Sequence, residues 1–87
     1  MKIIELRNLS RKEIPLSYRR SFTADAVLSG RNSGSTVQPV EFDLEKTAIG
    51  TVEIRVRVVG SSNYPVIPLI RELRSHISSL DSRGRLS

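Results

Sequence analysis

The stretch from Thr51 to Val59 constrains this chain more than any other, because apolar and polar residues alternate along it. Val52, Ile54, Val56 and Val58 fall on one side, with Thr51, Glu53, Arg55 and Arg57 on the other. A period of two is the signature of a β-strand with one face in a core and one in water. Such a strand needs a second layer to cover its apolar face. Its uninterrupted pattern predicts a central strand of the sheet, wet on one side.

The covering layer is legible downstream. From Pro68 to Leu80 the period changes, and Leu69, Ile70, Leu73, Ile77 and Leu80 form a single stripe at helical spacing. Arg71, Glu72, Arg74, Ser75 and Ser78 fill the remaining faces. Pro68 suits the first helical position, where its missing N–H costs nothing. Gly84 following Arg83 suits a C-terminal stop with a cation nearby. The last residues, 84–87, are expected to fray.

Upstream, Lys2 to Leu9 reads as a strand, with Ile4 and Leu6 opposite Glu5 and Arg7. A polar turn over residues 8–12 leads to a second strand, Glu13 to Arg20, where Ile14, Leu16 and Tyr18 oppose Pro15, Ser17 and Arg19. Pro15 has no N–H and requires an edge position, so these two strands are expected to form a hairpin. Phe22, Ala24, Ala26 and Leu28 continue the alternation as a third strand. Residues 29–36, rich in Gly, Ser and Asn, predict a mobile surface loop without an apolar anchor. Val37 to Leu44 resumes with Val40, Phe42 and Leu44 inward and Glu41 and Asp43 outward, and a turn at Glu45-Lys46-Thr47 comes next.

The expected fold is therefore a single α+β domain over residues 1–87. It is an antiparallel β-meander of four to five strands, in the order β-β-β-β-β-α, packed on one C-terminal amphipathic helix. With 87 residues the chain has room for one domain and a small stability margin.

Composition removes several function classes. There is no cysteine, so disulfides and thiolate metal sites are excluded, and the single histidine, His76, cannot build a histidine-type zinc centre. No apolar run is long enough for a membrane helix, and Met1 to Asn8 lacks the apolar core of a signal peptide. A cytoplasmic protein with no cofactor is the expectation. Neither a GxSxG elbow nor an SxxK motif occurs, and His76 falls at the rim of the helical stripe as a half-exposed side chain. Glu41, Asp43 and Glu45 alternate along one strand and read as a solvated face. Gly60-Ser61-Ser62-Asn63 lacks the second glycine and the lysine of a phosphate loop and reads as a turn with helix-capping duty. An enzyme is not expected.

Basic charge is the remaining signal. The net charge is +5, and eleven of the fourteen basic residues are arginine. The candidate binding residues are Arg7, Arg19, Arg20, Arg55, Arg57, Arg71 and Arg74. Arg55 and Arg57 leave one face about 7 Å apart, a spacing that suits neighbouring phosphates or carboxylates on an adjacent strand. Single-strand binders add aromatic platforms beside such charge. Here Phe22 and Phe42 occupy apolar positions, leaving Tyr18 and Tyr64. The sequence thus points to a non-enzymatic binding module for a protein partner or a second copy of itself. The alternative is binding to the backbone of RNA or DNA.

Overall fold

In the computed structural model, which describes residues 2–29, 34–62 and 64–86 without the side chain of Ile4, alternation carries the chain into four long strands. They are β1 (Lys2–Lys12), β2 (Arg19–Ser29), β3 (Ser35–Lys46) and β4 (Val52–Val58), followed by helix α1 (Val66–Ser82). All neighbours are antiparallel and the order is β1-β2-β3-β4, the α+β meander with a C-terminal helix that the alternation predicts. Most of the expected loop, residues 30–33, lies outside the described residues.

The first two expected strands are not separate. Asn8 adopts a left-handed φ of 53°, which Asn tolerates better than most side chains. There β1 takes in one extra residue between the pairs Arg7–Asp25 and Ser10–Thr23. A bulge of this kind kinks a strand without ending it. The polar stretch 8–12 therefore continues β1 instead of turning the chain, and residues 13–18, Pro15 included, become the connection to β2. A second register shift lies between Ile3 and Glu5. Bulges strengthen local twist, and the sheet curls far enough for α1 to reach both its edge strands, β4 and β1.

The Thr51–Val59 stretch also differs from expectation, for β4 is an edge strand and not a central one. Alternation reports which two faces a strand presents, and it carries no information about the neighbours beside it.

Register places the core on one face. Phe22 pairs with Phe42, Ala24 with Val40, and Phe42 with Val56. The two phenyl rings stack with centroids 5.2 Å apart. Leu69, Leu73 and Ile77 of α1 are fully buried against this face, and each contributes about 1.5–3 kcal/mol by leaving water. The helix begins at Val66, two residues before the expected start, so Pro68 takes its third position. The ladder opens there with Leu69 N–H donating to Pro65 O at 3.2 Å. The lost proline donor still falls among the four N–H groups that have no partner inside a helix.

Gly84 ends α1 as expected, with a φ of 70°. Its N–H bonds Asp81 O, and Arg85 N–H reaches back to Leu80 O at 2.9 Å, the paired bonds of a Schellman stop. Arg83 sits at the cap itself, and the last turn contains no basic residue. Residues 84–86 are not frayed, contrary to expectation. The stop folds the chain back, and Leu86 packs into the core at 6% exposure. Ser87 lies outside the described residues.

Candidate functional site

The outward face of the sheet holds the side chains that the sequence offers for binding. Adjacent strands bring Ser21, Asp43 and Arg55 into one row and Thr23, Glu41 and Arg57 into the next. Asp43, an acid on the expected solvated face, is instead buried. Ser21 Oγ donates to its Oδ1 at 2.8 Å, and Arg57 Nη1 donates to its Oδ2 at 3.1 Å. Burial alone would raise the carboxyl pKa. The hydrogen bonds from Arg57 and Ser21, with the charges of Arg57 and Arg19, outweigh burial and hold it below its ordinary value. The same bond to Asp43 raises the pKa of Arg57 against the opposing effect of burial, with the charges of Asp43 and Glu41 adding to the rise.

The network extends across all four strands. Arg57 also lies 3.6 Å from Glu41, which lies 3.5 Å from Lys12 on β1. Arg19 pairs with Glu45 at 3.4 Å, so each acid of the Glu41, Asp43, Glu45 row has a cation. Arg7 pairs with Glu5 at 2.6 Å, and Arg55 with Glu53 at 3.9 Å. These are cross-strand and same-strand pairs of the kind that decorate ordinary sheets.

The seven candidate arginines consequently do not form one site. Arg7, Arg19, Arg55 and Arg57 are distributed over the outward face and neutralised there. Arg20 leaves the opposite face and meets Asp81 in the last turn of α1 at 3.1 Å. Arg71 and Arg74 are exposed on α1, and among the described residues no acid lies within ion-pair distance of either.

Comparison with known proteins adds one finding to this geometry. The family model named BB_0187 matches residues 1–82. The chain belongs to that family. No curated protein and no solved structure matches it.

Elsewhere in this family member, two features that sequence reasoning missed define the free flank of the sheet. The first is a groove of about 560 Å³ between β4 and α1, lined by Val52, Ile54 and Arg55 on the strand and Arg74, Ser75 and Ser78 on the helix. The second is Gln38, buried on β3 beside Pro39. Val59 N–H donates to Pro39 O at 3.0 Å, but proline has no N–H to return the bond. Gln38 Nε2 supplies it, donating to Val59 O at 3.0 Å. A proline inside a strand pattern, preceded by an amide side chain, was the available signal.

The remaining candidates stay outside any site. Tyr18 is half exposed in the β1–β2 connection, and Tyr64 packs on the core. His76 is half-buried, and burial followed by the charge of Arg83 lowers its pKa. The Gly60–Asn63 turn does not cap α1. Pro65 is the N-cap without a side-chain bond, while Ser62 Oγ accepts from Tyr64 N–H; Asn63 lies outside the described residues. Among the described residues, no group of three or more His, Asp or Glu side chains is placed to hold a metal ion, and no helix is long and apolar enough to cross a membrane.

Proposed function

We propose that this chain is a non-enzymatic interaction module that acts through self-association or a protein partner. The observation that carries this reading is the contrast between the two parts of its surface. The arginines of the sheet face are occupied by Glu5, Glu41, Glu45, Asp43 and Glu53, which leaves little positive field for a phosphate backbone. The flank at β4 is a sheet edge with Val52 and Val59 exposed at its two ends. Exposed edges of this kind are where chains pair with other chains.

The test sets two measurements side by side on the full chain. Sedimentation over a wide concentration range reads self-association. Retention on heparin or a nonspecific oligonucleotide, measured against salt, reads nucleic-acid binding. A mass that grows with concentration, together with weak retention, is the expected result. A constant monomer mass with strong, salt-sensitive retention overturns the reading in favour of nucleic acid, with Arg71 and Arg74 as the first contacts to examine.

A further inference from the structure

We infer that the partner of β4 is β4 of a second copy, paired antiparallel about a two-fold axis at Ile54 so that two four-stranded sheets become one. The inference rests on the interaction-module reading above and names the edge and register it would use.

The sheet has two edges, and they are unlike. β1 carries two bulges, a left-handed Asn8 and a row of exposed charged side chains, the devices by which natural sheets discourage edge pairing. β4 keeps an unbroken register with β3 from Val52 to Val58 and is built from Val, Ile, Glu and Arg alone. Nothing in its backbone protects it.

The hydrogen-bond pattern identifies which groups are free. Val59 N–H bonds Pro39 O, and Thr47 N–H bonds Thr51 O, so odd-numbered residues of β4 turn their backbone toward β3. In an antiparallel ladder the alternate residues turn the other way. Val52, Ile54, Val56 and Val58 therefore present N–H and C=O to the free side. An antiparallel copy satisfies them only in registers that set even residues opposite even residues.

Charge chooses among those registers. With Ile54 opposite Ile54, Val52 meets Val56, and on the outward face Glu53 of each copy meets Arg55 of the other. Moving by one allowed step sets Arg55 against Arg55 in one direction and Glu53 against Glu53 in the other. Like charges directly opposite each other destabilise a sheet. Glu53 and Arg55 are also the pair most available to re-form across an interface. They are 3.9 Å apart and largely exposed, and Glu53 sits opposite Glu45 within its own sheet. Arg57 is held by Asp43 and Glu41 and is not called on.

The inward side fits as well. In this arrangement both α1 helices lie on the same face of the joined sheet and flank the new strand pair. The groove between β4 and α1 borders the incoming strand, with Val52 at 44% exposure on its floor. Farther along the helix, Ile67 at 73% exposure and Ile70 line a neighbouring recess that would be covered from the same side.

The experiment is sedimentation of the full chain with three variants, each checked for an unchanged circular dichroism spectrum and melting profile. Val52→Pro removes an N–H that the monomer does not use and that the second copy needs. Arg55→Glu turns both cross-strand ion pairs into like-charge pairs. Glu53→Arg combined with Arg55→Glu exchanges the charges and restores attraction. The wild-type chain should dimerise, with Val52→Pro and Arg55→Glu each weakening the dimer by roughly tenfold or more and the double exchange recovering wild-type affinity. A dimer indifferent to Val52→Pro and Arg55→Glu overturns the β4 assignment and leaves self-association through another surface. A wild-type chain that stays monomeric at every concentration overturns both the assignment and the self-association reading.

Discussion

Leu73 is the side chain on which the two layers of this fold depend most directly, and Leu73→Ala tests that dependence. Leu73 is fully buried in the middle of the α1 stripe, between Leu69 and Ile77 and within the cluster that holds Phe22, Phe42, Leu44 and Val56. Truncation to Ala removes the equivalent of about three methylene groups, or about 2.4 kcal/mol at about 0.8 kcal/mol each. The surrounding Leu and Phe side chains are anchored on separate strands and cannot fully collapse, so a cavity term raises the expected loss to about 3–4 kcal/mol. A domain of this size has a total stability of about 4–13 kcal/mol, so the loss removes a large share of it. In thermal unfolding followed by circular dichroism, each lost kcal/mol moves the midpoint by about 4–8 °C, giving a fall of more than about 12 °C. Arg71→Ala, two residues away on the exposed face, should stay within about 0.5 kcal/mol. A Leu73→Ala midpoint within a few degrees of wild type would refute the packing of α1 over the sheet.

The outward face and the helix stop give two more expected outcomes. Asp43 has a folded-state pKa below its ordinary 3.8, so the unfolded chain takes up this proton first. Its contribution is full above the ordinary value and is lost as pH falls through 3.8 and then through the lower folded value. Denaturant titrations across that acid range should show stability falling, and Asp43→Asn should flatten the fall while lowering stability at neutral pH. Gly84→Ala adds a Cβ that meets nothing within 4 Å, so its cost is backbone strain alone at a φ of 70°, about 1–2 kcal/mol by chemical denaturation. A neutral Gly84→Ala would mean that the Schellman stop does not hold Leu86 in the core.

The elements and their faces were readable from the residues alone, because both are local properties. Period-two alternation places Phe22, Val40, Phe42, Leu44, Ile54 and Val56 on the covered side of the sheet whatever lies beside them. Helical spacing does the same for Leu69, Leu73 and Ile77. The left-handed stop at Gly84 was equally legible, since glycine is the residue a positive φ favours. Lateral order was not legible. A bulge costs only one residue in a left-handed conformation, so the polar stretch 8–12 read as a turn, and β1 and the segment after it read as two strands. For the same reason Thr51–Val59 read as central, since no side chain records which backbone edge is left unpaired. It took the assembled sheet to establish that β4 borders solvent, that Asp43 is buried beneath Arg57 and Ser21, and that the arginines face acids on neighbouring strands. Those are relations between residues far apart in the chain, and pairing register is the physical quantity that creates them.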